Sequence, residues 1–168
     1  KRRSIMSDFS FEQILQLIST LAVVATLIYL AMQIRQSNLL QQSNILMEST
    51  NTFNNFAMAI AEDQKLSELY FSAIIDIKSL DIDKQRHAVL LITSMIRMFE
   101  NVYLQNEANS FHSKAWEGYS QQSIQLMNNP GVLAFLENRR SWFAASFVEY
   151  ILNNIPQIDE SAFTHDKT

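Results

Sequence analysis

Glycine and proline are almost missing from this chain, with two of each in 168 residues. Tight hairpin turns draw on those residues, so their scarcity excludes an all-β fold and points to helices. Cysteine is absent. That removes disulfides, thiolate metal ligands and cysteine nucleophiles together. Charge is scarce: Asp, Glu, Lys and Arg make up 18% of the chain, against about 25% in an ordinary soluble domain. Basic residues cluster only at Lys1, Arg2, Arg3 and at Arg139, Arg140, and the net charge is −4. Nucleic acid needs a basic stripe that neutralises many phosphates, so it is not an expected partner.

Chemistry-bearing motifs are equally thin. Two glycines are too few for a phosphate-cradling loop or a dinucleotide fingerprint. His87, His112 and His165 are far apart and none sits in an H-E-x-x-H pattern. Glu48, Glu68 and Glu100 fall on three different helices without the Glu-x-x-His pairs that a di-iron bundle uses. No catalytic residue, metal ligand or cofactor is therefore expected, and the chain is not expected to be an enzyme.

What the chain has instead is a long apolar run. Residues 14–34, ILQLISTLAVVATLIYLAMQI, contain no charge. As a helix the run spans about 31 Å, matching a hydrocarbon core of about 30 Å. Its Leu, Ile and Val residues favour insertion by about −3 to −7 kcal/mol before polar costs. A buried helix of a soluble bundle is the competing reading, since a helix apolar all round suits either setting. A cleaved signal peptide would have a shorter apolar region and a small-residue cleavage site. Here Met32, Gln33, Ile34 and Arg35 follow. A transmembrane helix is expected, and membrane lipid with it as a partner.

One face of that helix is polar or small: Gln16, Ser19, Thr20, Ala22, Val23, Thr26 and Gln33 recur at steps of three and four. Such a stripe lets two helices approach closely in lipid. It is a candidate contact with a second copy or with another membrane protein. Alternatively, the hydroxyls bond back to their own backbone and face lipid. Orientation stays open. Lys1, Arg2 and Arg3 before the span favour a cytoplasmic N-terminus, but a start at Met6 would leave only Arg35 beside the span and reverse the assignment.

The segment VVATLIYLAMQIRQ, residues 23–36, together with Arg97, Phe99, Glu100, Asn101 and Tyr103, Trp116, and Pro130-Gly131-Val132, resembles a group of uncharacterised bacterial single-pass membrane proteins with a small helical domain. The resemblance covers most of residues 12–151. It implies a bacterial inner-membrane location and carries no established activity. The family often has glycines early in the span, where this chain has Ser19 and Ala22.

The expected architecture is all-α: an N-terminal tail over 1–13, a transmembrane helix over 14–34, a helical stalk and a bundle of five or six helices over 35–156, and a polar, frayed tail over 157–168. Met32, Leu39, Leu46, Phe53 and Ile60 fall seven apart. That spacing predicts a stripe packing on other helices or on a coiled-coil partner, with Leu39, Leu46, Phe53 and Ile60 as candidate stalk contacts. Asp63 and Asp81 suit the N-caps of helices over 64–76 and 82–106, with a loop over 77–80. A fourth helix is expected over 112–127. A fifth begins with Asn129 as N-cap and Pro130 at the first position and runs to Arg140. The last spans 145–154.

Arg97, Glu100, Asn101 and Tyr103 form the candidate polar cluster. Arg97 and Glu100 are i,i+3 neighbours. They either line a pocket for a small ligand or a headgroup, or form a partly buried pair that fixes helix register, with Asn101 and Tyr103 closing hydrogen bonds. Trp142 and Phe143 beside Arg139 and Arg140 either form an interfacial patch that rests on the membrane or belong to the core. The expected function is that of a membrane-anchored interaction protein, an accessory or structural subunit that docks through its span and stalk. The alternative is a membrane-tethered module that binds a small ligand or lipid.

Overall fold

Residues 11–156 are described in a computed structural model of the chain. The basic residues Lys1–Arg3 and the tail expected over 157–168 lie outside them. Among the described residues every regular element is helical. The chain divides into two units, Lys1–Gln41 and Gln42–Thr168. Helix α1, Phe11–Glu62, runs through the boundary between them, as expected from a stretch with no glycine or proline.

In the first unit α1 is solvent-facing at every described residue. It is long and apolar enough to cross a membrane. Its most apolar window has a mean hydropathy of 2.2 and none of it is buried.

The second unit is built around α3, Ile82–Glu107. Its other helices are α2, Gln64–Ile75, α4, Ser113–Met127, α5, Pro130–Asn138, and α6, Ala145–Asn154. Both aspartate caps form. Asp63 accepts the Lys65 and Leu66 N–H groups at 2.8 and 3.1 Å, and Asp81 accepts the Lys84 N–H at 2.9 Å. Each supplies an acceptor for helix-end donors that have no partner in the helix. The Asp81 carboxyl is held below the usual carboxylate range, first by that backbone N–H and then by the Lys84 side chain. Residues 77–80 are not a plain loop. Ile77–Ser79 form a 3-10 turn begun by Asp76, whose carboxylate accepts the Lys78 N–H.

A glycine-poor chain must end its helices by other means. Helix α3 closes on Asn109, which takes the left-handed conformation with φ 53°. The Asn109 N–H bonds to Asn106 O and the Ser110 N–H to Gln105 O, each at 2.9 Å. This is the pair of bonds that a C-terminal glycine normally closes. Asparagine tolerates the conformation better than other non-glycine residues. Between α4 and α5 the expected cap differs from the observed one. Pro130 does open α5, and Asn129 precedes it, but the Asn129 side chain makes no cap bond to α5. Its amide turns back and donates to Leu126 O at 2.9 Å, closing the end of α4. Helix α5 also stops at Asn138, and Arg140–Trp142 form a second 3-10 turn.

The core gathers around Ile92, Met95 and Ile96 of α3. Met127 of α4, Val132 and Leu136 of α5, and Phe147 and Ile151 of α6 pack there, all essentially solvent-free. Helix α5 reaches α2 by a close backbone approach at Gly131. A Cβ there would lie 2.3 Å from the Ala73 carbonyl oxygen.

Candidate functional site

The span stripe satisfies its own hydroxyls. Ser19 and Thr20 both donate to Gln16 O, at 2.9 and 2.8 Å, and Thr26 donates to Ala22 O at 2.9 Å. Gln33 donates to the Tyr29 hydroxyl at 2.7 Å. These back-bonds lower the cost of hydroxyls in lipid. What the stripe presents outward is therefore shape, through Ser19, Ala22, Val23 and Thr26, more than free donors.

The stalk stripe divides. Leu39 is 59% exposed, and Leu46 is half-buried. Phe53 packs edge-on against Phe99 of α3, with ring centroids 6.3 Å apart. Ile60 is buried in the core. The C-terminal part of the seven-residue stripe is thus spent on helices of its own chain. Thr50 is tied in by a 3.0 Å bond between its hydroxyl and that of Tyr119.

The four residues of the polar cluster do not act together. Arg97 and Glu100 pair, with Nη1 donating to Oε2 at 2.5 Å. Both then reach the connection between α5 and α6. Arg97 donates through Nη2 to the Trp142 carbonyl at 2.5 Å and lies over the Phe143 ring, 4.9 Å from its centroid. Glu100 accepts the Ala144 N–H through Oε1 at 2.5 Å. Ala144 is the N-cap of α6 and has no side chain able to cap it. A carboxylate from α3 thus sits at the N-terminus of α6, where the helix dipole favours negative charge. Glu100 is 4% exposed, so both of its oxygens need these partners.

Asn101 and Tyr103 do not close this network. Asn101 is exposed and lines a small niche of about 160 Å³ with Glu48 and Thr52. Tyr103 stands in an aromatic group with Trp116, Phe147 and Tyr150, at centroid distances of 6.1, 5.6 and 5.2 Å. Burial pushes its hydroxyl above the usual tyrosine value, against a smaller opposing effect from Ser146. Tyr70, whose hydroxyl meets Met95 Sδ at 3.3 Å, is raised by burial as well.

The larger cavities lie elsewhere. One, of about 560 Å³, is walled mainly by Phe53, Phe56, Ile60, Tyr70, Phe71 and Leu126. A second, of about 530 Å³, lies between α2, α3 and α5, and a third, of about 550 Å³, is walled by Phe143, Val148 and Leu152. None is lined by Arg97 or Glu100, whose polar groups are taken up by the 142–144 connection. The aromatic patch changes too: Phe143 is buried, while Trp142 remains 47% exposed. Arg139 and the 530 Å³ cleft carried no signal in the sequence beyond the adjacent pair of arginines. Lys78, the other cation of that cleft, sits in a segment read as loop.

No family model, curated protein or solved structure matches the chain.

Proposed function

We propose that this chain is a membrane-anchored helical interaction protein of the bacterial inner membrane, acting as an accessory or structural subunit of a larger membrane complex. The observation that carries the reading is the uncovered span: an apolar window of mean hydropathy 2.2 with none of its residues buried. At about 25 cal/mol per Å² of apolar surface, leaving such a helix in water is strongly unfavourable, so lipid or another helix must cover it. The small-residue face through Ser19, Ala22, Val23 and Thr26 supports a helix as part of that cover. Exposed Leu39 and Leu40 on the same helix offer further apolar contact.

The test is purification of the native protein in mild detergent, followed by mass and subunit identification. Recovery in a stoichiometric complex with a different membrane protein supports the proposal. Recovery alone, or only as copies of itself, overturns the accessory-subunit reading. Recovery in the soluble fraction without detergent overturns the anchor.

A further inference from the structure

The cleft of about 530 Å³ between α2, α3 and α5 falls within the ~300–1,000 Å³ typical of small-molecule sites. Its charged lining is Lys78, Arg139 and a single carboxylate, Asp76. One Asp76 oxygen is committed to the Lys78 backbone N–H at 2.9 Å. Among the described residues neither Lys78 nor Arg139 has a carboxylate within 4.0 Å, as is also true of Arg35, Lys65 and Lys114, which line no large cavity.

Arg139 is held in place without an ion pair. Its guanidinium lies over the Phe135 ring and the Trp142 ring, 4.8 and 4.6 Å from their centroids. Those two rings meet edge to face. Stacking occupies the faces of a guanidinium and leaves the donors along its edge for an anion. Its Nε is shielded from solvent and has no acceptor among the described residues. A stacked cation with an unsatisfied donor, lining the same cleft as a second unpaired cation, is an incomplete hydrogen-bonding set. The rest of the wall is apolar: Ile75, Ile77, Val89 and Phe135.

We propose that this cleft binds a phosphomonoester carrying a hydrocarbon group, with its phosphate between Arg139 and Lys78 and its apolar part against Ile77, Val89 and Phe135. A guanidinium fork plus a separate ammonium suits a tetrahedral group with several oxygens. The same chemistry occurs in a soluble alkyl phosphate and in the headgroup region of a phosphatidic-acid-like lipid. The site stands independently of the anchoring proposal, because it lies wholly within the second unit.

The test uses the full chain in dodecyl maltoside. Butyl phosphate, inorganic phosphate and butanol are titrated by calorimetry, with Trp142 emission in a Trp116→Phe background as a second signal. Butyl phosphate is expected to bind saturably at one site, and more tightly than inorganic phosphate. Arg139→Gln and Lys78→Gln are each expected to weaken it about tenfold or more, as for loss of a charge-assisted hydrogen bond. Lys78 is exposed, so Lys78→Gln tests the site even if Arg139→Gln fails to fold. Absence of saturable binding, or equal affinity in wild type and Lys78→Gln, overturns the proposal. Equal affinity for inorganic and butyl phosphate overturns its hydrocarbon half. Reconstitution into phosphatidylcholine vesicles with or without phosphatidic acid then separates the sources. Loss of butyl phosphate binding only with phosphatidic acid assigns the site to lipid, and unchanged binding assigns it to a soluble ester.

Discussion

Removing the Glu100 carboxylate should loosen the connection between α5 and α6. Glu100→Ala deletes the acceptor of two hydrogen bonds, one from Arg97 Nη1 and one from the Ala144 N–H. The orphaned N–H alone costs about 1–3 kcal/mol, and breaking one side of a buried pair costs about 3–5 kcal/mol. The Arg97 side chain is 52% exposed, so solvent screens the pair and the lower end applies, about 3 kcal/mol. At about 2–4 °C per kcal/mol for a chain of this size, the melting temperature should fall by roughly 6–12 °C. Glu100→Gln keeps an oxygen for the Ala144 N–H but loses the charge and sets an NH2 donor against Arg97, so it should cost about 1–2 kcal/mol. The assay is thermal and denaturant melting of the full chain in mild detergent, followed by circular dichroism. A Glu100→Ala protein within about 0.5 kcal/mol of wild type would refute the reasoning, since that is the range of an unconnected surface change.

Gly131→Ala should destabilise by about 1–3 kcal/mol, because the new Cβ meets the backbone of α2 and that backbone cannot swing aside. Gly118→Ala, on α4 with nothing near its Cβ, should stabilise by about 0.5–1 kcal/mol in the same melts. Tyr70 and Tyr103 should ionise above the ordinary tyrosine value of 10.0 in an ultraviolet titration. Their folded values are raised by burial, so stability is full below the ordinary value of 10.0 and falls as pH rises from there towards the folded value. The Asp81 cap has the opposite sign. Its folded value is lowered, so its contribution is present above 3.8 and is lost as pH falls through the folded value; Asp81→Ala should abolish that acid-side loss. Replacing Ser19, Ala22 and Thr26 together with leucine should weaken association in a detergent pull-down, and unchanged assembly would remove the small-residue face as a contact.

The helices were legible where a local rule acted alone. Asp63 and Asp81 announce α2 and α3 because a short acidic side chain can reach donors two or three residues on. Pro130 marks the start of α5 through its own fixed φ. The misses share a cause, which is partners distant in sequence. Asn129 sits where a forward cap is expected but bonds backward, because both helix ends compete for one amide and the sequence does not say which wins. The Arg97–Glu100 pair was visible from its spacing. Its true partners, Trp142 O and Ala144 N, are main-chain groups more than forty residues away and leave no trace in residue type. Tyr103 lies close to Glu100 around the helix, yet the aromatic rings of α4 and α6 draw it away from the pair. The stalk stripe illustrates the same limit. A seven-residue spacing states that a face is covered, but not whether the cover is another chain or, as at Phe53 and Ile60, the chain's own α3 and core.

The 139–144 connection ties these features together. Arg97 holds its carbonyl side at Trp142, Glu100 holds its amide side at Ala144, and Phe143 is buried beneath Arg97. Trp142 is thereby fixed from its backbone, and its ring in turn supports Arg139. A rigid platform for Arg139 is what makes an edge-on anion contact possible without a carboxylate partner. The α3 pair, which lines none of the large cavities, should therefore act on the cleft at second hand. Glu100→Gln should weaken butyl phosphate binding less than Arg139→Gln does, and in proportion to its loss of stability. If Glu100→Gln instead matched Arg139→Gln while melting like wild type, the carboxylate would have to meet the ligand itself, and the separation drawn between pair and cleft would fail.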